Sequence, residues 1–476
     1  MCTKKNNNTS IHFWEKIWAR VEALGGNMDV GQYKHMVLGL IFLKYIYTKW
    51  DIIPAAGEKE EIATIIDRAV EDIERENPSL KDILPKNYAG LKLNKKSLRD
   101  MVELLTNIKT TEHGLEKDIL VRTYEYCLYK FAAEEGKLGG EFYTPSCVVS
   151  TIVEVIKPFK GRLYDPCCGD GGMLAKAVSF IQSHENIQDS HKKNKLSIYG
   201  QDLNPTHRKM AIMNLAIRGM EADLGGYNSD TLYNDLHPTL KADFIMANPP
   251  FNFSNWNDGS LNHDKRWKYG LPPSFNGNFA WLQHMIYHLS PNGKMAAVLD
   301  NASLSSKNGG QGEIRKKIVE DDLVECIITM PTQLFFTTQI PVSLWFLNRN
   351  KKEKGKTLFI DARKMGTMVS RQLREITQND ISKIVDTFNA FNDNTLKDIK
   401  GFCAAVATED IGKEDYILTP QIYVGIEEEK DDEELFKEKM SCLTRELSVM
   451  FKRSHQLEEE ICTRLADIGF KMEVKK

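Results

Sequence analysis

The sequence predicts an α/β protein with a doubly wound, mainly parallel sheet, an α-helical N-terminal domain and a helical C-terminal tail. Short apolar segments alternate with helical patterns between residues 161 and 361, which is typical of such a sheet. Before that region apolar residues recur at helical spacing, and after it a three-four apolar repeat spans residues 436–461. The expected domains are 1–135 (helical), 136–405 (sheet) and 406–476 (tail).

Composition limits the possible function classes. The 476 residues carry a net charge of −3, which gives no overall attraction to nucleic acid, so DNA binding would need a local patch or a partner's surface. The nine cysteines include no Cys-x-x-Cys pair, and the adjacent Cys167 and Cys168 lack other clustered ligands, so no metal site is predicted. The longest apolar run, Met36–Tyr47, is too short to span a bilayer, and no signal peptide is evident, which favours the cytoplasm.

A glycine-rich segment precedes the sheet and leads into a helix that starts near Ser146. A Ser or Thr at this place can simply cap the helix. Alternatively, the segment is a lid that places Tyr143 and Thr144 over a bound ligand.

A strand, a glycine-rich turn and a helix follow. The strand Gly161–Asp165 leads into the turn Pro166–Met173, and ligands of doubly wound folds bind at such strand ends. The turn matches neither Gly-x-Gly-x-x-Gly nor a P-loop. Because Asp165 offers acceptors to an amine rather than to a phosphate, the turn favours a zwitterionic or cationic ligand.

Two further turns carry acids. Asp202 ends the second strand, where a carboxylate can bind the two hydroxyls of a ribose; alternatively it only starts the turn at Asn204. Asp230 lies in a third turn, and it would stand near an adenine amine if the strands have the expected order.

The segment Asn248–Phe251 ends the apolar run Ala242–Ala247. Its two prolines stop the strand because proline cannot donate to a sheet ladder. The Asn248 amide, backbone carbonyls without competing donors and the Phe251 ring suit a planar amine, which needs two acceptors and a surface to stack on. The alternative is a strand-ending turn with a core phenylalanine.

Residues 252–277 lack clear periodicity, and a loop of this length is usually functional or mobile. Its interleaved aromatic and basic side chains either contact nucleic acid or pack as an insertion with its own core. These side chains are Phe253, Trp256, Lys265, Arg266, Trp267, Lys268 and Tyr269. Four more strands are predicted, at 294–300, 323–328, 342–347 and 357–361, with an antiparallel strand at the sheet edge.

The C-terminal tail carries a seam close to a heptad repeat, with Ser454 in one position. The apolar seam residues are Phe436, Met440, Leu443, Leu447, Met450, Leu457 and Ile461. One amphipathic helix must bury such a seam on its own chain or on a partner helix, and a partner is the preferred interpretation.

In this order the motifs resemble those of S-adenosylmethionine-dependent adenine-N6 DNA methyltransferases, and more narrowly the modification subunits of type I restriction–modification systems. The resemblance rests on Glu141–Pro145, Asp165–Gly172, Gly200–Pro205 and Asn248–Phe251. It extends over nearly the whole chain through Gly26–Asp29, Leu38–Tyr45, Phe279–Met285 and Leu418–Val424.

The resemblance implies a methyltransferase sheet and a role for each motif. Asp202 would bind the cofactor's ribose and Asp230 would lie by its adenine. The target adenine would flip out of the duplex and stack on Phe251, while Asn248 and the Pro249 carbonyl accept its two N6 hydrogens. Other residues expected at the cofactor are Glu141, Phe142, Tyr143, Thr144, Pro145, Ser146, Asp165, Gly169, Asp170, Gly171 and Gly172. Pro250 completes the catalytic motif.

Two residues depart from the family pattern. Asp170 stands where a small residue is usual, and it could repel the cofactor's carboxylate or cap the following helix. Asp202 replaces a longer Glu, which should change its reach rather than its role.

The sheet is expected to be complete by Asp361, which leaves no region for base readout, so another polypeptide should supply it. The resemblance agrees: it implies double-stranded DNA as substrate, a specificity subunit that joins two modification subunits, and a restriction subunit. Alternatives are methylation of a protein glutamine amide or an RNA base, and a scaffold whose catalysis has decayed. The intact Asn248–Phe251 motif argues against the scaffold.

Overall fold

The computed structural model describes residues 15–24, 30–56, 61–90, 93–108, 116–137, 144–184, 196–335, 340–370, 373–426 and 433–467. Glu141, Phe142 and Tyr143 of the predicted cofactor segment lie outside these ranges. The chain forms two compact units, Met1–Gly425 and Ile426–Lys476.

The N-terminal part of the first unit is helical, as predicted. Its helices are α1 (residues 15–24), α2 (Val30–Ile46), α3 (Ile52–Ala56), α4 (Ile62–Glu76), α5 (Lys95–Thr106) and α6 (Glu116–Lys137). The apolar positions that predicted α1 and α6 are buried in one core, among them Ile17, Val21, Tyr124 and Phe131. Helix α5 begins where the Asn94 side chain accepts a hydrogen bond from Ser97 N at 3.1 Å.

Strands and helices alternate from residue 146 onward. In chain order they are α7 (Ser146–Ile156), β1 (Gly161–Asp165), α8 (Gly172–His184), β2 (Leu196–Gly200), α9 (Pro205–Ala216), β3 (Ala222–Asp223), β4 (Ala242–Ala247), α10 (Asn278–His288), β5 (Leu289–Asp300), α11 (Gln311–Glu320), β6 (Val324–Thr329), β7 (Val342–Asn348), β8 (Lys356–Asp361), β9 (Thr367–Met368), β10 (Arg374–Glu375), α12 (Gln378–Asn392), β11 (Cys403–Ala407), α13 (Thr408–Lys413) and α14 (Pro420–Tyr423). Short 3-10 turns lie at Pro78–Leu80, Asn301–Leu304 and Asn308–Gly310.

Nine of the described strands form one sheet in the order β11-β8-β6-β7-β5-β4-β1-β2-β3. Strands β3, β2, β1, β4 and β5 are parallel neighbours, so the doubly wound prediction is confirmed. An antiparallel edge strand is present as expected, but it is β11, which pairs with β8 and lies beyond Asp361. The expectation that the sheet is complete by Asp361 is therefore wrong. Strand β7 is also antiparallel, although it lies between β5 and β6 in the sheet interior. All seven of its residues are buried, because both faces of the sheet are covered there.

The sheet continues past the predicted boundary at 405, since β11 reaches Ala407, and the compact unit continues to Gly425. Helix α14 packs against β8 and β6. The compact first unit ends at Gly425. The domain limits 136–405 and 406–476 stay a prediction.

Helix α9 is shared by the two parts of the first unit. Met210, Met213 and Ile217 belong to the core of the N-terminal helices, while Ala211 and Leu215 belong to the core beneath the sheet. Tyr124 of α6 adds a hydrogen bond, in which its hydroxyl donates to Met210 O at 3.4 Å. The helical part is therefore docked directly on an element of the sheet domain.

The second unit contains one long helix, α15 (Glu433–Asp467). The predicted seam residues Met440, Leu443, Leu447, Met450, Leu457 and Ile461 are between 42% and 65% exposed. Within the described ranges of both units, every helix is too short or too polar to traverse a bilayer.

Candidate active site

Strand order brings the predicted motifs together. Parallel β4, β1 and β2 are neighbours, so the segments that follow these strands meet at the end of the sheet where the strands have their carboxyl termini. A cavity of about 440 Å³ opens at this end. The predicted residues that line it are Thr144, Ser146, Asp165, Gly169, Asp170, Gly172 and Asn248.

Other described residues of the predicted site are not among those that line the cavity. They are Pro145, Gly171, Asp202, Asp230, Pro249, Pro250 and Phe251. Pro249 is buried, Pro250 is exposed, and Phe251 is half-buried. The Phe251 ring packs edge-to-face on Phe335 with centroids 6.1 Å apart.

Asp165 is a buried acid at the end of β1. Its side chain is 2% exposed, and Oδ1 accepts a hydrogen bond from Cys167 N at 3.1 Å. Burial raises the pKa of Asp165 to about 7, because the ionised form loses its hydration. Burial likewise raises the pKa of the Cys167 and Cys168 thiols well above its usual range, so neither is an activated nucleophile.

Asp202 holds the glycine turn from the second strand. Its Oδ2 accepts a hydrogen bond from Gly169 N at 3.0 Å, and its Oδ1 accepts one from Asn204 N at 2.8 Å. Asp202 therefore starts the turn at Asn204, as the alternative interpretation held, but this turn is not its only contact. The same carboxylate also ties the first βα turn to the second.

The Asp230 turn is fixed beside Asp202 by a buried glutamine. Gln201 Nε2 donates to Ser229 O at 3.2 Å and to Asn234 O at 2.8 Å, while Gln201 Oε1 accepts from Leu236 N at 3.0 Å. Ser229 N donates to the backbone oxygen of Asp202 at 3.1 Å. Gln201 was not predicted as a site residue, because its partners are distant in the sequence.

Asn248 has one half of its amide fixed and the other half unpaired. Its Nδ2 donates to Thr144 Oγ1 at 2.9 Å. Its Oδ1 is buried and has no hydrogen-bond partner within the described part of the chain. Helix α7 begins after Pro145 without a side-chain cap, so Thr144 and Ser146 do not cap it as the simpler interpretation proposed. Thr144 orients Asn248 instead.

The residue after Phe251 is held in an unusual backbone conformation. Asn252 has φ of 53°, and its N donates to Asn278 Oδ1 at 2.9 Å. Asp300, at the end of β5, accepts from Asn252 Nδ2 at 3.1 Å and from Asn278 Nδ2 at 2.8 Å. In this network Asn278 and Asp300 are buried and Asn252 is exposed. The network sets the direction in which the chain leaves the motif, and no local sequence pattern predicted it.

The long loop at 252–277 buries most of its aromatic side chains in a core that it shares with β4, β5 and α10. Trp256, Trp267 and Tyr269 are at most 9% exposed, and the two tryptophan rings meet edge-to-face at 5.4 Å. Arg266 is buried and donates to Thr231 O at 3.3 Å and to Leu232 O. The burial of these residues agrees with the packing alternative, although the core is shared with the sheet and is not the loop's own. Phe253 remains 42% exposed.

A cluster of Asp235, His284 and His288 lies below this loop, with ligand atoms within 4.8 Å of one another. All four ring nitrogens have partners: His288 contacts Leu240 O and Asp235 Oδ2, each at 3.0 Å, and His284 contacts Arg266 and Tyr164. Burial would raise the pKa of Asp235, but the hydrogen bond from His288 lowers it to about 2. The cluster therefore links β1, α10 and the loop, and each of its ring nitrogens already has a hydrogen-bond partner.

Comparison with known proteins identifies the family. The N-6 DNA methylase family model matches residues 115–432. The type I restriction enzyme HindI methylase subunit of Haemophilus influenzae is 46% identical over 428 residues, 88% of this chain and 95% of that subunit. The chain belongs to the N-6 DNA methylases of type I restriction enzymes. The MjaIX methylase subunit of Methanocaldococcus jannaschii is 34% identical. The aligned region covers 96% of this N-6 DNA methylase and 92% of that subunit.

Solved structures show the same fold. The type I methyltransferase subunit from Streptococcus thermophilus superposes with a TM-score of 0.71 at 23% identity, over 87% of this N-6 DNA methylase and 99% of that chain. A chain from a structural study of complex assembly in a type I restriction–modification system superposes with a TM-score of 0.62 at 18% identity. The match covers 94% of this N-6 DNA methylase and 98% of that chain.

The glycine turn generates a stability prediction. Gly171 has φ of +76°, and a Cβ there would lie 3.1 Å from Ala211 Cα and Cβ on α9. Gly169 has φ of +53°, with nothing within 4 Å of a Cβ. We expect Gly169→Ala to cost about 1–2 kcal/mol through backbone strain alone. Gly171→Ala should cost about 1–3 kcal/mol more, because it also forces α9 away.

Urea unfolding followed by circular dichroism measures both free energies of unfolding. Equal losses in the two variants would show that the turn is not packed against α9.

Proposed function

We propose that this chain transfers a methyl group from S-adenosylmethionine to N6 of adenine in double-stranded DNA. The observation that carries the proposal is the buried Asn248 Oδ1, which lacks a partner within the described ranges. A buried acceptor without a donor costs roughly 1–3 kcal/mol, so the fold retains it at a site that receives a donor from outside. An exocyclic amine supplies such a donor.

The residues of the cavity fit the cofactor. Its volume of about 440 Å³ suits a ligand of this size. The buried Asp165, with its pKa raised to about 7, regains its charge when an ammonium group lies beside it. Asp202 retains lone pairs for the ribose hydroxyls, and Asp230 stands in the adjacent turn for the adenine. When bound, S-adenosylmethionine would supply an electrophilic methyl group.

The chain's own residues orient the amine. Because Thr144 Oγ1 accepts from Asn248 Nδ2 at 2.9 Å, the amide oxygen faces away from Thr144 and is available to the substrate. Asn248 Oδ1 and the Pro249 carbonyl would accept the two N6 hydrogens. Holding both hydrogens directs the nitrogen lone pair out of the adenine plane, so that orientation and electrostatics lower the barrier. Phe251 would stack on the flipped base.

A glutamine amide or an RNA amine would also satisfy the Asn248 oxygen. Family membership favours DNA adenine over both, because the family model is that of N-6 DNA methylases and the relatives are methylase subunits of type I restriction enzymes. A decayed scaffold would have no reason to retain the pairing of Thr144 with Asn248.

We further propose that a separate specificity subunit reads the DNA sequence and joins two copies of this chain, with a restriction subunit added for cleavage. The buried aromatics of the 252–277 loop and the net charge of −3 support this division of labour. The exposed seam of α15 offers an apolar surface for a partner helix.

Asn248→Ala should reduce methyl transfer by about 100-fold or more, because one of the two acceptors for the amine is lost. Its dissociation constant for S-adenosylmethionine should stay within about threefold of the unchanged chain. Labelled-methyl transfer to DNA measures the first quantity, and calorimetric titration measures the second.

The matched control is Asn350→Ala. Asn350 is exposed in the turn after β7, where the parallel strands have their amino-terminal ends, away from the cavity. It should transfer methyl groups at the normal rate. Undiminished transfer by Asn248→Ala would refute the role of this side chain.

Cofactor affinity should depend on pH through Asp165. Before a ligand binds, the pKa of the Asp165 carboxyl is about 7, and only the ionised form attracts an ammonium group. Affinity should therefore be full above the pKa and fall by about tenfold per unit as the pH decreases below it. Titration of S-adenosylhomocysteine between about pH 5 and pH 8 measures this slope, and Asp165→Asn should bind weakly with a flat profile. A steep profile in Asp165→Asn would assign the titration to another group.

The α15 seam should be required for assembly. Leu447→Glu with Met450→Glu places two charges in the seam, and it should abolish co-purification with the specificity subunit. Lys452→Glu, on the side of the helix away from the seam, should assemble normally. Size-exclusion chromatography of co-expressed subunits distinguishes them, and normal assembly of the double variant would mean that the seam is not the interface.

A further inference from the structure

Asp170 places a negative charge in the cavity that the proposed methyl donor would occupy. Its side chain is 12% exposed and lines the cavity beside Gly169 and Gly172. Its Oδ1 accepts a hydrogen bond from Gly172 N at 3.2 Å, at the start of α8. The methionine part of the donor carries its own carboxylate, and like charges repel strongly where water is excluded. An unopposed Asp170 would therefore weaken binding of that part.

A buried lysine from the N-terminal helices opposes this charge. Lys34 lies on α2, is 4% exposed and places its Nζ 3.7 Å from Asp170 Oδ2. It lines the same cavity as Asp170. A buried ammonium group requires a nearby anion, so the pair compensates both charges at once. Asp170 is thus neutralised by a residue more than a hundred positions earlier in the chain.

Further contacts fix Asp170 from its other side. Asn214 of α9 donates through Nδ2 to Asp170 O at 2.9 Å, and Arg218 Nη1 donates to Asn214 Oδ1 at 2.5 Å. Arg218 Nη2 in turn lies 2.5 Å from Glu125 Oε1 on α6. The glycine turn is therefore connected to the N-terminal helices twice, directly by Lys34 and through α9 by Arg218.

We propose that Lys34 is a specificity-determining residue of the cofactor site, which cancels the charge of Asp170 and thereby admits a ligand that carries a carboxylate. The inference rests on the proposed methyl donor. The adenosine part of the ligand would lie toward Asp202, so its binding does not depend on Lys34. Because Lys34 belongs to α2, the site is complete only while the N-terminal helices are docked on α9.

Equilibrium binding to the full chain tests this with two ligands that differ in one part. S-adenosylhomocysteine carries the ammonium and carboxylate groups, and 5′-methylthioadenosine lacks both. Lys34→Met should weaken binding of the first by roughly tenfold to a hundredfold and change binding of the second by less than about twofold. Adding Asp170→Asn to Lys34→Met should restore most of the lost affinity, since asparagine retains the helix cap without the charge.

Lys44→Met is the matched control. Lys44 lies on the same helix, its side chain is 10% exposed, and it pairs with Glu116 at 2.6 Å, outside the cavity lining. Neither ligand should bind differently to this variant.

Equal weakening of both ligands by Lys34→Met, or no change in either, would overturn the inference, as would a double variant that regains nothing. Asp170→Asn alone gives an answer even if Lys34→Met does not fold: it should bind S-adenosylhomocysteine at least as tightly as the unchanged chain, and a loss would overturn the inference. If the unchanged chain binds neither ligand, the proposed methyl donor is wrong as well.

Discussion

Burial of polar groups that the chain does not fully satisfy is the constraint on which this site depends. Asn248 Oδ1 has no partner in the described structure, and Asp165 is a buried carboxyl whose pKa is raised to about 7. Each of these opposes folding by an amount on the order of 1–3 kcal/mol. The surrounding sheet has to supply that free energy, and it does so with strands that are buried along most of their length, such as β4 and β5. A ligand that supplied a donor to Asn248 Oδ1 and a cation to Asp165 would relieve this cost, and for this reason both groups enter the proposed function.

Helix α9 joins the two parts of the first unit. Met213 faces the core of the N-terminal helices, and Leu215 faces the core beneath the sheet. Gly171 approaches α9 closely because it has no Cβ, and Asn214 holds the backbone of the neighbouring turn. The N-terminal helices therefore contribute Lys34 to the cavity lining beside Asp170.

The sequence was most informative where function depends on strand ends. The resemblance placed Asp165 and Asn248, each at the end of a predicted strand, in one site. The structure brings them to one cavity, because parallel strands align their carboxyl ends. Side chains whose partners are remote were not predictable: Gln201 bonds residues about thirty positions away, and Lys34 pairs with an acid more than a hundred positions later in the chain. Trp256 was ambiguous because an aperiodic loop gives no signal of burial. The direction of β7 was missed for a similar reason, since a fully buried strand has the same pattern in either orientation.

The chemistry itself is tested most directly by following a labelled methyl group. Labelled S-adenosylmethionine is incubated with unmethylated DNA and the chain, with and without the specificity subunit, and the DNA is then digested to nucleosides. Label should appear in N6-methyldeoxyadenosine, and only when the specificity subunit is present. Label in N4-methyldeoxycytidine, or on protein instead of DNA, would contradict the role assigned to Asn248 and the motif that follows it.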